Sequence, residues 1–98
     1  MDMETLMAQA QDLQTKISAA QDSLAEQQVK GIAENGAVVV SMTGKYDVLS
    51  VVVRPETLSL GSEKVSQLVV DAYKDAKEKA DVLIEKTMSA ITGGMGVE

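Results

Sequence analysis

The sequence predicts an α+β domain: a long N-terminal helix, a three-stranded antiparallel meander and a long C-terminal helix, assembled as a dimer. Three observations predict it: an apolar repeat of period 3.5 at the start, a β-branched middle broken by two glycine turns, and a broad apolar stripe of helical period at the end. Ninety-eight residues suit one folded unit, placed at residues 1–92 with a flexible glycine-rich tail at 93–98. A chain this short buries only about 60–65% of the surface its unfolded form exposes, so self-association is an effective way to enlarge the core.

From Met3 to Gln28 the apolar positions are Met3, Leu6, Ala10, Leu13, Ile17, Ala20 and Leu24, alternately three and four apart. That is a heptad seam, narrower than the stripe of a helix sunk in a core, and it implies a helix on the order of 40 Å packed lengthwise on another. Within one chain the seam packs on the second helix as a hairpin; alternatively it projects as an arm to grip something else.

Val29 to Val53 holds three strands. Asn35-Gly36 predicts a two-residue type I′ hairpin, because both central positions need positive φ. Thr43-Gly44-Lys45 marks the second reversal. Between them Val38, Val40 and Met42 alternate with Val39, Ser41 and Thr43, as in a strand with one covered face. The third strand is apolar on both sides through Val51-Val52-Val53, which suggests cover on its outer face too. Val48, Val51, Val52 and Val53 are therefore the candidate dimer interface. Pro55 ends the sheet, since proline donates no ladder hydrogen bond.

Ser62 is placed to cap the next helix, with Glu63 near its positive end. On a helical wheel Val65, Val69, Ala72, Tyr73, Ala76, Ala80, Leu83, Ile84 and Ile91 share one face, and Gly93 and Gly94 stop the helix after Ile91.

Composition excludes much chemistry. The chain has no cysteine and no histidine, which removes thiol nucleophiles, thiolate metal sites, the commonest general base and the commonest transition-metal ligand. Gly44-Lys45 lacks the upstream glycine and the following Ser/Thr of a phosphate loop. Asp71, Asp75 and Glu78 share a helix face but interleave with lysines rather than forming a calcium loop. The chain is expected to be no enzyme and to hold no metal, cofactor or small-molecule substrate. No apolar run approaches the ~20 residues of a membrane span, and the acidic start Met1-Asp2-Met3-Glu4 is unlike a signal peptide, so a cytoplasmic protein with no membrane partner is expected.

The net charge of −6 opposes a polyanion partner on its face, but the charge is uneven. Residues 1–28 carry five acids against Lys16, whereas residues 62–92 set five lysines against six acids. On the wheel Lys74 and Lys77 border the acidic outer stripe on one side, and Lys79 and Lys86 on the other.

Taken in order, the heptad helix, Val29-x-Gly31, Asn35-Gly36-x-Val38-x-Val40, Gly44, Val51-x-Val53-x-Pro55, Leu68-Val69-x-Asp71-Ala72-Tyr73-x-Asp75-Ala76 and Met88 with Thr92-Gly93-Gly94 resemble the YbaB/EbfC family of nucleoid-associated proteins. The resemblance spans nearly the whole chain. It implies a cytoplasmic, nucleoid-associated homodimer joined through the sheet region, with helical arms in a tweezer-like shape that bind duplex DNA with little or variable sequence preference. Arg54 departs from the acid that the family usually carries before the proline, and the chain stops at Glu98 without the family's proline-containing extension. The DNA-binding candidates are Lys74, Lys77, Lys79 and Lys86, then Lys16 and Lys30, acting on phosphates rather than on base edges. The alternative function is a dimeric coiled-coil adaptor whose acidic, glutamine-rich first helix binds another protein without touching nucleic acid.

Overall fold

The structure, a computed structural model, describes residues 2–94. It contains α1 (Met3–Glu26), β1 (Gln28–Ala33), β2 (Val38–Thr43), β3 (Val48–Val53) and α2 (Ser62–Gly94), with short 3-10 turns at Glu34–Gly36 and Pro55–Leu60. The strands form one antiparallel sheet in the order β1-β2-β3. The molecule is drawn out to 68 Å because both helices run far beyond the sheet.

Helix α1 starts where the Asp2 carboxylate accepts the Thr5 N–H at 2.8 Å, satisfying one of the unpaired amides of the first turn. Its heptad seam is buried progressively towards the sheet: Met3 is 72% exposed, Leu6 46%, and Leu24 only 3%. Leu13, Ile17 and Ala20 are half-buried between these extremes, and α1 packs on α2 and β2. The seam thus closes an intrachain hairpin near the sheet and opens towards the N-terminus. The C-terminal end of α1 docks on the β2–β3 turn, where the Gly44 N–H donates to the Leu24 carbonyl at 2.9 Å and to that of Gln27 at 3.1 Å. A side chain at residue 44 would sit 2.8 Å from the Leu24 oxygen, so this docking requires glycine.

The core lies between the sheet and α2. Val38, Val40 and Met42 of β2 are fully buried with Leu68, Ala72, Ala76 and Ala80 of α2; each of the larger side chains contributes about 2 kcal/mol by leaving water. The alanines matter for what they lack. They let the helix backbone settle onto β1 at Gly31, where a Cβ would collide with the Ala72 carbonyl oxygen and the Ala76 amide.

Several sequence expectations change in detail. The β1–β2 connection holds four residues, 34–37, between the paired Ala33 and Val38; Asn35 and Gly36 have positive φ as a type I′ turn requires, but Glu34 joins them at φ 50. Ser62 is the first residue of α2 and not its cap: the Gly61 carbonyl accepts the first helical bond, from Val65 at 3.0 Å. Helix α2 continues to Gly94, past the stop expected at Gly93, and the rest of the expected tail lies outside the described residues. Tyr73, placed on the core face of the wheel, is 39% exposed, while Leu68 takes the core position at 1%.

Helix α2 packs on β1 and β2; of β3 it leaves Val48 to Val52 exposed, whereas Val53, expected at the dimer interface, is half-buried against the core. Val48, Leu49, Val51 and Val52 are 47%, 51%, 45% and 57% exposed, and β3 carries no charged residue. Val51 pairs with buried Val40 and Val52 with Val39, so the two valines project from opposite faces, both open in the single chain.

Candidate nucleic-acid interface

The long α2 presents its lysines on two flanks of the strip that meets the sheet. On the flank beside β1 are Lys79 and Lys86, seven residues apart, which puts them on one face about 10 Å from each other along the axis. Exposed Val82 lies between them in sequence and on the same flank. On the flank towards the β2–β3 turn is Lys77, with Lys74 three residues earlier and further round towards solvent.

The structure separates the candidate cations by what they already touch. Lys79 donates to the Lys30 carbonyl at 2.7 Å and pairs with Asp75 at 3.0 Å. Lys77 pairs with Asp81 at 3.5 Å and stands 5.7 Å from the centre of the Tyr46 ring. Lys16 pairs with Asp12 at 3.1 Å, one turn away on exposed α1; such a pair is worth well under about 1 kcal/mol and yields readily to a better anion. Lys74, Lys86 and the Lys30 side chain form no ion pair with a described residue. These three are not gathered: Lys74 and Lys86 stand on different flanks of α2, and Lys30 lies on the sheet face away from it.

Two carboxylates organise this surface. Asp75 accepts the Ile32 N–H at 2.9 Å besides holding Lys79; the backbone hydrogen bond first, and the lysine second, keep its carboxyl below the usual 3.8. Asp81 accepts the Tyr46 hydroxyl, which with nearby Lys77 lowers its carboxyl as well. In return the same bond raises the Tyr46 phenol above its ordinary 10.0. Tyr46 reaches α2 because it holds φ 69 at the tip of the β2–β3 turn. There the Thr43 hydroxyl accepts the Lys45 and Asp47 amides at 3.1 and 3.2 Å.

Sequence reasoning passed over two cations. Lys45 is exposed on the turn, next to Tyr46, and Thr43-Gly44-Lys45 had signalled only a chain reversal. Lys64 is exposed at the start of α2 and lies 3.8 Å from Glu34. Arg54, the departure from the family pattern, folds over the first hairpin: a side chain at Gly36 would meet its guanidinium at 3.1 Å. The arginine is therefore partly committed to the turn.

Among the described residues no side chains converge on an enclosed cavity; the surface depressions are shallow and lined by single helix faces, such as that of Val82, Glu85, Lys86, Ser89 and Ala90. No described helix is long and apolar enough to cross a membrane.

A two-helix, three-strand α+β fold with a lysine-bearing second helix defines the class of protein. The same fold occurs in the crystal structure of an uncharacterized protein, HP0035, of Helicobacter pylori, with a TM-score of 0.76, 16% identity and 97% of each chain covered. The family model of the YbaB/EbfC DNA-binding family matches residues 1–95, and the chain belongs to that family. A nucleoid-associated protein of Bradyrhizobium diazoefficiens is 38% identical over 97 residues, covering 98% of this chain and 92% of the relative. One from a Mycobacterium species is 38% identical over 96 residues, covering 97% and 87%.

Proposed function

We propose that the protein is a nucleoid-associated DNA-binding protein of the cytoplasm, acting as a homodimer joined through β3 and holding duplex DNA by its phosphates. The match to the YbaB/EbfC DNA-binding family over nearly the whole chain carries this reading. The exposed, uncharged stretch of β3 from Val48 to Val52 supports the dimer, and the cations with no ion pair to a described residue support the phosphate contacts. A paired lysine such as Lys79 must first give up a carboxylate. Lys74, Lys86 and Lys30, which form no ion pair with a described residue, do not, and they supply the larger part of the attraction. Two tyrosines and no other aromatic ring leave few groups to stack on bases, and lysine contacts to phosphates carry no sequence information, so sequence selectivity is low.

Counting the two on α2, Lys74 and Lys86, on each of two protomers gives four phosphate contacts, for which affinity falls about 10²-fold between about 50 and 200 mM salt. Fluorescence anisotropy with a labelled duplex at those two concentrations tests it. A steep loss supports the reading; no binding at the lower salt overturns it. The adaptor reading draws on one observation, the exposed Met3, Leu6 and Met7 at the open end of acidic α1. It requires capture of one stoichiometric protein that survives nuclease treatment.

A further inference from the structure

The sheet has two outer edges, and the fold treats them differently. On β1 the ladder to β2 leaves alternate backbone groups pointing outward. Two neighbouring ones in the middle of the strand are already taken: the Ile32 N–H donates to Asp75 at 2.9 Å, and the Lys30 carbonyl accepts from Lys79 at 2.7 Å. Both partners come from one turn of α2 and are joined to each other at 3.0 Å. The close seating of Ala72 and Ala76 on Gly31 fixes their height over the strand. On β3 no described side chain bonds a backbone group, and no residue from Val48 to Val53 is charged, although charge is the ordinary protection of a free edge.

We infer that Asp75 and Lys79 close the β1 edge to strand addition, so that β3 alone can pair with a second copy and assembly stops at a two-fold dimer. The inference rests on the β3 dimer proposed above. Pairing β3 with β3 is self-complementary and closes on itself, whereas pairing β3 of one copy with β1 of the next has no closure and propagates as a filament. An incoming strand must find free N–H and C=O groups in register, and at Lys30 and Ile32 it meets an ammonium and a carboxylate instead. The lysine's work on this edge also separates it from the DNA contacts: its charge serves the sheet.

The test is sedimentation velocity over a range of concentrations, with circular dichroism on the same samples, for the wild type and the Asp75→Ala/Lys79→Met pair. Wild type at twice 10.4 kDa, with the variant growing into larger, concentration-dependent species at unchanged helicity, supports the inference. A folded variant that keeps the wild-type mass overturns it. A monomeric wild type removes the β3 dimer instead, a result read from the wild-type sample alone. Should the double variant lose its fold, Lys79→Met alone retains the aliphatic stem and frees only the Lys30 carbonyl. The Ile32 amide supplies a second readout: its hydrogen exchange should quicken about tenfold or more in Asp75→Ala. Unchanged exchange in that folded variant also overturns the inference.

Discussion

Gly31 of β1 lies so close to Ala72 of α2 that a single methyl group on the glycine has nowhere to go. A Cβ there would strike the Ala72 carbonyl oxygen and lie 2.7 Å from the Ala76 Cβ. The obstacle is helix backbone, which cannot rotate aside as a side chain does. Gly31→Ala therefore forces α2 off the sheet and should cost about 3 kcal/mol, a large part of the stability of a domain this size. Gly61 supplies the comparison, since it needs its positive φ of 97 but has no atom within 4 Å of a Cβ. Gly61→Ala should cost about 1–3 kcal/mol, all of it backbone strain, because φ 97 with ψ 158 is a conformation essentially confined to glycine. Urea midpoints at constant slope measure both losses, and a Gly31→Ala loss under about 1 kcal/mol would mean that close packing at Gly31 is not what holds α2.

Val52 offers a direct test of the dimer. Its side chain is 57% exposed in the single chain and stands beside Val39 on the sheet face away from α2. Lysine there costs an isolated monomer at most about 0.5 kcal/mol, because the site is open to water. In a β3-paired dimer the same lysine enters an apolar seam in which neither β3 strand carries an acid to pair with it. Val52→Lys should thus give a folded species near 10.4 kDa by light scattering, where the wild type gives twice that. A variant as dimeric as the wild type would place the interface elsewhere.

What was legible in the sequence follows period and turn chemistry, because both are local. The spacing of Met3, Leu6 and Ala10 marks a helix without any knowledge of its partner, and Val38, Val40 and Met42 disclose a covered strand face. Contacts set by docking were not legible. Lys79 meets the Lys30 carbonyl across 49 positions of chain, a pairing that exists only once Gly31 and the alanines have fixed the helix height. For the same reason the wheel gave Tyr73 a core place that belongs to Leu68: periodicity defines a stripe, but its centre depends on how the helix lies across the sheet. The lysines were visible as a group, but the division into paired and unpaired was not.

That division predicts a difference between two lysines of one helix. Lys86 has no ion pair with a described residue, whereas Lys77 is held between Asp81 and the Tyr46 ring. Lys86→Gln takes one cation away from the DNA on each protomer, and the salt slope of binding should fall by about 0.9 for each phosphate left unneutralised. Lys77→Gln should lower it less, since the charge removed was already balanced. Equal changes in anisotropy titrations would show that local pairing does not govern which cations reach the phosphates.

The tie between Tyr46 and Asp81 fastens the β2–β3 turn to the middle of α2, and it titrates at both ends of the pH scale. Asp81 is lowered from 3.8, first by the Tyr46 hydroxyl and then by Lys77. The folded state therefore holds that proton less tightly than the unfolded chain. Its contribution is present above the ordinary aspartate value and is lost as pH falls through the lowered one. Tyr46 is raised above 10.0, chiefly by its bond to Asp81, so its contribution is whole below 10.0 and is lost as pH rises through the raised value. Between those limits the tie is indifferent to pH. In a Tyr73→Phe background, which leaves Tyr46 as the one phenol, ultraviolet absorbance should report ionisation with a midpoint above 10.0. Adding Asp81→Asn should bring that midpoint back towards 10.0, because the carboxylate that opposes phenolate formation is gone. A midpoint at the ordinary value before that second change would mean that the turn is not tied to α2 in solution, and that the helix is held by the sheet core and its β1 contacts without that tie.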